Sequence, residues 1–398
     1  MEKGNAVTYP KGFLACGVRA GIKEQRADMA LIYSEKPASA AGVFTKNVVK
    51  AAPVLIDRER VPSPNIQAVI VNSGNANACT GEQGLKDARI MTSEVARLLD
   101  LREESVLVAS TGIIGHLLPM DNVLNGITQA VRSLSLDGWG SAARAIMTTD
   151  TRQKEASAQV SIGGVEVKIG GIAKGAGMIC PNMATMLAFI AMDAAISPEM
   201  LQKSLSKSAE ISFNCLTVDG DSSTNDSVIV LANGMAENLP INNESPDLDA
   251  FQKALDSVTT SLAKQIASDG EGATKMISIS VSGAESFQDA RQIAKTIANS
   301  ALVKTAMFGC DPNWGRILAA AGRAGVDFDP KTVNLFYGDI ALLRNGEPIE
   351  FPEKAAHDLL CKKEVDVMLE VGDGPGSATV WTCDFSYDYI KINAEYHT

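Results

Sequence analysis

The chain has 398 residues, of which 45% are hydrophobic and 21% are charged, a balance typical of a globular protein with a large core. Its formal net charge of -11 disfavours nucleic acid or an anionic membrane surface as a partner. The N-terminal segment lacks the apolar stretch of a secretory signal, and the longest apolar run, residues 183–196, is too short and too polar to span a bilayer. We therefore expect a cytoplasmic location.

Short β-branched runs alternate with amphipathic segments along the chain, which predicts an α/β or α+β protein of two lobes. Strands are predicted over residues 68–74, 105–111, 227–232, 276–284, 332–337, 364–371 and 378–392, with a hairpin over 158–172 that turns at a pair of glycines. Helices are predicted over residues 81–99, 118–134, 198–212, 248–268 and 288–307.

The segment KGAGMICPNMATMLAFI, residues 174–190, joins a glycine-rich loop to an apolar strand. Its two glycines form part of a GxGxxG pattern, but Pro181 and Asn182 would break the helix that a nucleotide loop needs. Thr185 at the start of the strand is ordinarily structural, because β-branched residues fit there. As an N-terminal residue, Thr185 would instead be a nucleophile with its own α-amine as the base. That function requires a cut after Ala184, which composition and spacing do not show.

This segment resembles the self-cleavage segment of the ornithine acetyltransferases, also called glutamate N-acetyltransferases, a family of arginine biosynthesis. Seven further landmarks of that family occur in the same order over nearly the whole chain. They are GVRAGIK (17–23), VNSGNANACTG (71–81), ASTGIIG (109–115), MTTDT (147–151), DGEGATK (269–275), GCDPNWGRI (309–317) and WTCDFSYDYIKINAEYHT (381–398).

The resemblance implies self-cleavage between Ala184 and Thr185 into an N-terminal fragment, 1–184, and a C-terminal fragment, 185–398, that fold together. It implies a two-lobed self-processing fold of mixed sheets flanked by helices, related to the N-terminal-nucleophile-like aminopeptidase fold. Two fragments of each kind are expected to associate. Thr185 would accept acetyl from N-acetyl-L-ornithine and deliver it to L-glutamate in ping-pong fashion. No cofactor or metal is implied. Acetyl-CoA is a further donor for some members of the family, and both kinds of member remain open here.

Thr111 and Gly112, within ASTGIIG, match the oxyanion pair of the family, since a hydroxyl and a backbone N–H can both donate to a developing oxyanion. Without the resemblance, an ordinary turn between a strand and a helix is the better interpretation. Lys174 and Glu271 match substrate-binding positions. Their charges suit the carboxylate and amine of an amino acid, in either assignment, although each residue alone would be read as a solvated surface charge.

Thr148, Asn393 and Thr398 also match substrate contacts of the family. The strand predicted through Ile392 would fix the C-terminal tail in the site, although chain ends usually fray.

Several other residues and motifs favour structural interpretations. Cys180 and Cys310 have no basic neighbour in sequence, so neutral thiols are expected. DGDSSTNDS, residues 219–227, lacks the closing Glu of a calcium loop, and VGDGPGSATV, residues 371–380, is typical of a turn between strands. His116 is expected to be structural.

Two other functions remain open. One is an amidohydrolase or aminopeptidase on a related self-cleaving fold, with water as the acceptor. The other is an acidic binding module that is never cleaved. The motifs DGEGATK and NAEYHT favour the transferase by resemblance.

Overall fold

The computed structural model describes residues 6–180 and 186–395. The strands of this part are β1 (Phe13–Val18), β2 (Met29–Phe44), β3 (Ser63–Asn75), β4 (Val106–Ile113), β5 (Lys154–Ile162), β6 (Val165–Lys174), β7 (Leu187–Met192), β8 (Ser227–Ala232), β9 (Met276–Gly283), β10 (Asn334–Tyr337), β11 (Ile340–Arg344), β12 (Glu347–Pro348), β13 (Glu364–Glu370) and β14 (Gly374–Cys383). The helices are α1 (Ala52–Arg60), α2 (Gly81–Leu99), α3 (Met120–Arg132), α4 (Trp139–Ala145), α5 (Pro198–Ile211), α6 (Pro246–Ala267), α7 (Phe287–Ala298), α8 (Ala301–Phe308), α9 (Trp314–Gly322), α10 (Glu353–Leu360) and α11 (Tyr387–Glu395).

The larger of two mixed sheets has eight strands in the order β4-β3-β2-β8-β7-β6-β5, and β1 pairs with β2 beside this path. The pairs β3–β4 and β7–β8 are parallel, whereas the other pairs are antiparallel. β6 precedes the predicted cleavage position, and β7 follows it. Because β6 pairs with β7 and β2 pairs with β8, the two predicted fragments share this sheet.

Helices cover both faces of the larger sheet. Val228 and Val230 of β8 belong to the core that contains α5 and α6, whereas Ile229 and Leu231 belong to the core that contains α4. Every residue of β7 and β8 is buried, as is usual for parallel strands covered on both faces.

The smaller sheet has six strands in the order β12-β11-β10-β13-β9-β14, with a parallel pair between β9 and β13. Its apolar residues join the same core as α5 and α6, so the two sheets share one continuous interior. The predicted mixed α/β class is confirmed. Among the described residues, no helix has the length and apolar character needed to cross a membrane.

The predicted hairpin is formed by β5 and β6, which turn at Gly163 and Gly164 with Ile162 paired to Val165. Both glycines have positive φ, 56° and 83°. This is the conformation that two-residue hairpin turns require and that glycine adopts at the lowest cost.

The prediction of one helix over 288–307 is wrong, because α7 ends at Ala298 and α8 begins at Ala301. Ser300 between them has an extended backbone, with ψ 111°. The side chain of the preceding Asn299 accepts a hydrogen bond of 2.6 Å from the Thr217 hydroxyl, which holds the break in place.

The predicted strand over 378–392 is also wrong beyond Cys383, where β14 ends. The carboxylate of Asp384 accepts hydrogen bonds from the backbone N–H groups of Thr274 and Lys275, at 2.8 and 3.1 Å. These contacts direct the chain away from the sheet after Cys383, and helix α11 follows. The C-terminal segment therefore approaches the rest of the molecule as a helix.

Candidate active site

A cavity opens where β4 and β6 end and where β7 and β8 begin. All six predicted site residues that the structure describes line it: Thr111, Gly112, Thr148, Lys174, Glu271 and Asn393. They come from five separate segments of the chain. Ala184, Thr185 and Thr398 lie outside the described residues, but Met186, the neighbour of Thr185 in the chain, also lines this cavity.

Lys174 is the last residue of β6 and is buried, with 8% of its surface exposed. Its Nζ donates hydrogen bonds to the hydroxyls of Thr148, at 2.7 Å, and Thr111, at 3.3 Å. Burial lowers the pKa of Lys174, while the charges of Asp150, Asp226 and Glu271 oppose that shift. Lys174 is therefore an interior cation between two hydroxyl groups.

Gly112 lies at the end of β4, where the chain runs against the end of β3. A Cβ added to Gly112 would be 2.3 Å from the carbonyl carbon of Gly74 and 2.5 Å from the backbone nitrogen of Asn75. Its φ of 137° also favours glycine. The strand ends can approach so closely only because Gly112 lacks a side chain. Gly112 and its neighbour Thr111 thereby border the cavity.

Glu271 and Asn393 meet at the mouth of the cavity. The amide nitrogen of Asn393, on α11, donates a hydrogen bond of 2.9 Å to the Glu271 carboxylate. A Cβ on Gly177 would lie 2.4 Å from that carboxylate. The glycine of the KGAG loop therefore makes room for Glu271, and the backbone N–H of Glu271 donates to the carbonyl of Ala176 at 2.8 Å.

A buried ion triad holds together the segments that line the cavity. Lys154 Nζ lies 2.6 Å from an oxygen of Asp150 and 2.5 Å from an oxygen of Asp269, and all three side chains are at most 4% exposed. Asp150 also accepts the backbone N–H groups of Gly175, at 2.7 Å, and Thr148, at 3.0 Å. Burial acts to raise the pKa of Asp150, but Lys174 and Lys154 hold it at about 2. The triad thus fixes the segments that carry Thr148, Lys174 and Glu271.

The segment before β8 forms another wall. Asn225 donates from its side-chain amide to the backbone carbonyls of Ala76, at 2.5 Å, and Ser110, at 2.8 Å. This ties the start of β8 to the end of β4. The next residue, Asp226, is 2% exposed, and burial raises the pKa of its carboxyl well above the ordinary value.

Four residues of the site were missed in the sequence: Asp150, Asp269, Asn225 and Asp226. Three of the four are aspartates that lie inside motifs named above. Such side chains are almost never buried unless paired. An aspartate within a motif of the site therefore indicates a buried ion pair or hydrogen bond there. The motif DGDSSTNDS contains two of the four. Its first residue, Asp219, accepts the N–H groups of Met178 and Ile179 at 2.6 and 2.8 Å, so the segment fastens the KGAG loop.

In the folded chain, Cys180 and Cys310 each have a basic neighbour that is distant in sequence. Lys295 of α7 hydrogen-bonds the Cys180 thiol, and Lys275 Nζ lies 3.4 Å from the sulfur of Cys310. Within 6–180 and 186–395, no group of three or more His, Cys, Asp or Glu residues is arranged to hold a metal ion.

The arrangement suits a small polar ligand that carries both charges. It combines an interior cation, a carboxylate at the mouth, and a hydroxyl beside a glycine at a strand end. Donors grouped in this way can bind an amino acid and stabilise an oxyanion.

Comparison with known proteins gives one consistent family. A model of the ArgJ family matches residues 14–398. The arginine biosynthesis bifunctional protein ArgJ of Caldanaerobacter subterraneus subsp. tengcongensis is 50% identical over 396 residues, which cover 98% of this chain and 98% of that protein. The protein of the same name from Symbiobacterium thermophilum is 52% identical over 395 residues, with 98% of each chain covered.

A solved structure agrees with these relatives. The crystal structure of the arginine biosynthesis bifunctional protein argJ from Bacillus halodurans is 46% identical, with a TM-score of 0.52. The match covers 53% of this chain and 100% of that one. The family predicted from the sequence landmarks is confirmed: the chain belongs to the ArgJ family.

Proposed function

We propose that this chain moves an acetyl group from N-acetyl-L-ornithine to L-glutamate in arginine biosynthesis, through an acetyl ester on Thr185. One observation carries the proposal. Six residues that were predicted from separate motifs line one cavity together with Met186, the residue that follows Thr185. Family membership also supports it, because the relatives are named as proteins of arginine biosynthesis.

The proposal includes cleavage of the Ala184–Thr185 bond by the chain itself. The new α-amine of Thr185 is the base that takes the proton of its own hydroxyl. The hydroxyl oxygen attacks the acetyl carbonyl of N-acetylornithine, the C–N bond breaks, and L-ornithine leaves with a proton on its amine. The amine of L-glutamate then attacks the ester, and the Thr185 oxygen leaves and regains its proton.

Thr111 and Gly112 are proposed to stabilise the oxyanion of both steps. The oxygen of Thr111 accepts a hydrogen bond from Lys174, and its own O–H is proposed to donate into the cavity that it lines. A second donor is the N–H of Gly112. Removing one such donor typically costs two to three orders of magnitude in rate.

Lys174, Thr148, Glu271, Asn393 and Thr398 are proposed to hold the amino acid. Lys174 offers a cation that lines the cavity, and its burial strengthens its attraction for a carboxylate. Glu271 offers the opposite charge for an amine. No cofactor takes part in this scheme, and the cytoplasmic location expected from the sequence belongs to the same proposal.

Association of two N-terminal with two C-terminal fragments is also proposed. The matched share of this chain in the Bacillus halodurans comparison, 53%, is close to the share of residues 185–398, which is 214 of 398 residues or about 54%. A solved chain of that length supports cleavage into fragments of about this size.

Two measurements test the proposal. A denaturing gel should show two fragments for the wild-type protein and one full-length band for Thr185→Ala. Product analysis with N-acetylornithine should show ornithine release that depends on glutamate. Release that is equally fast without glutamate would instead indicate a hydrolase.

A parallel assay with acetyl-CoA and glutamate tests for a second donor. The relatives are named bifunctional, and we propose that acetylglutamate also forms from acetyl-CoA here. Absence of that product would restrict the enzyme to acetyl exchange between the two amino acids.

A further inference from the structure

Asp226 lies beside Met186, the residue that follows the predicted nucleophile in the chain, and it has no role in the scheme above. It directly precedes β8, and β7 begins beside it. Leu187 of β7 is paired with Ser227 of β8, so the preceding residues, Met186 and Asp226, are neighbours across the two parallel strands. Both line the cavity, and Met186 is bonded directly to Thr185.

The carboxyl group of Asp226 is buried, but only one of its two oxygens has hydrogen-bond partners among the described residues. Ser223 and the backbone N–H of Met186 hydrogen-bond it. Its other oxygen, Oδ2, has no hydrogen-bond partner among the described residues. The charge of Lys174 acts on it, but the Lys174 Nζ donates to the hydroxyls of Thr148 and Thr111.

An unpaired buried oxygen is unusual, because nearly all buried polar atoms have a partner. The missing donor can be identified from the chemistry of the chain. In the uncleaved protein, the nitrogen of Thr185 belongs to a peptide and carries one hydrogen. After cleavage it is an amine with two or three hydrogens, one residue from Met186.

We propose that Asp226 is the positioning residue for the nucleophile: one carboxyl oxygen holds the Met186 peptide, and the other accepts a hydrogen bond from the α-amine that cleavage creates on Thr185. This rests on the proposed function, since it requires an N-terminal Thr185. The contact orients the amine so that its lone pair faces the Thr185 hydroxyl.

A carboxylate beside an amine favours the protonated amine and raises its pKa. The amine acts as a base only when it is neutral, so Asp226 sets the pH at which activity begins. Lys174 faces Asp226, and Asp150, Lys154 and Glu271 in turn face Lys174. Those four remain in place when Asp226 alone is changed.

The test is Asp226→Asn in the full chain, assayed with N-acetylornithine and glutamate from pH 5 to pH 9. Cleavage should proceed, because the carboxyl oxygen is assigned to the state after cleavage. The acid limb of kcat/KM should move to lower pH by about one unit, since an anion within contact distance shifts a pKa by one to three units. The plateau value of kcat/KM above the acid limb should fall at least about tenfold, because the amine loses its orientation.

Asp57→Asn is a matched control. Asp57 is 1% exposed, its Oδ1 accepts the N–H of Val108 at 3.0 Å, and its Oδ2 also lacks a partner among the described residues. It does not line the cavity. This variant should keep the wild-type pH profile.

An Asp226→Asn protein with the wild-type rate and acid limb would overturn the inference, and so would one that fails to cleave. A wild-type protein that runs as one band would instead refute the proposed function. If Asp226→Asn is insoluble, melting temperatures of wild type and Thr185→Ala are compared between pH 5 and pH 8.

The sign of that comparison follows from the raised pKa of Asp226 in the uncleaved chain. A folded acid with a raised pKa loses stability as the pH rises. Between pH 5 and pH 8, the melting temperature of the uncleaved Thr185→Ala protein should therefore fall further than that of the cleaved wild type. Equal losses would contradict the contact with the amine.

Discussion

Replacing Lys154 with Met should destabilise the protein and disturb the cavity from a distance. Lys154 is fully buried between Asp150 and Asp269, at 2.6 and 2.5 Å. Methionine fills a similar volume but leaves two buried carboxylates without their shared cation. Breaking a buried ion pair by removing one partner costs about 3 to 5 kcal/mol.

The size of the thermal effect follows from the length of the chain. The entropy of unfolding is about 2.1 cal/mol/K per residue, or roughly 0.8 kcal/mol/K for 398 residues. A cost of 3 to 5 kcal/mol therefore lowers Tm by about 4 to 6 °C. Calorimetry of the purified variant measures this directly.

Lys203→Met is a suitable control. Lys203 pairs with Glu244 on the surface, and its side chain is 49% exposed. Such pairs contribute about 1 kcal/mol or less, so Tm should change by about 1 °C at most. A Lys154→Met protein that melts within about 1 °C of this control would refute the argument that the buried triad organises the site.

Three further changes test the site itself. Thr111→Val keeps the shape of the side chain and removes the hydroxyl, so kcat/KM should fall about a hundredfold, whereas Thr111→Ser should retain most activity; equal losses in both would count against an oxyanion role. Lys174→Met should lower kcat/KM about 10- to 150-fold, since hydrogen bonds to charged groups contribute about 1.5 to 3 kcal/mol, and an unchanged KM for both amino acids would exclude Lys174 from binding them. The pKa of Asp150 is held at about 2, below its ordinary 3.8, so it contributes roughly 2 kcal/mol of stability above pH 4 that is lost as the pH falls towards 2. The stability difference between wild type and Asp150→Asn should therefore shrink between pH 5 and pH 2, and a difference that stays constant would contradict this assignment.

Local patterns predicted much of the fold. The helical spacing of apolar residues predicts α2 over residues 81–99, and the structure has the helix at Gly81–Leu99. The β-branched run Ser227–Ala232 is β8 with the predicted bounds. In both cases a single periodicity persists to the ends of the element, so tertiary contacts do not need to override it.

The longest strand, β2, was not predicted. Its middle carries the exposed residues Glu35, Lys36 and Pro37, and its register against β3 shifts between Tyr33 and Ala38. An irregularity of this kind interrupts the alternation that reveals a strand. Pairing on both sides, with β3 and with β1 and β8, maintains the strand across this interruption.

The site was predicted only where a motif marked it. Lys174 and Thr148 were identified by resemblance, but the contact between them depends on how β6 meets the turn that carries Thr148. The pairing of Lys154 with Asp269 joins residues that lie 115 positions apart. No local pattern reports such a contact, because the fold alone brings these charges together.

The most direct test of the whole account is mass spectrometry of the C-terminal fragment after incubation with N-acetylornithine alone. The account predicts a fragment that begins at Thr185 and becomes heavier by one acetyl group, located on that threonine. Addition of L-glutamate should remove the group and yield N-acetylglutamate. A full-length chain, or an acetyl group on a residue other than Thr185, would contradict it.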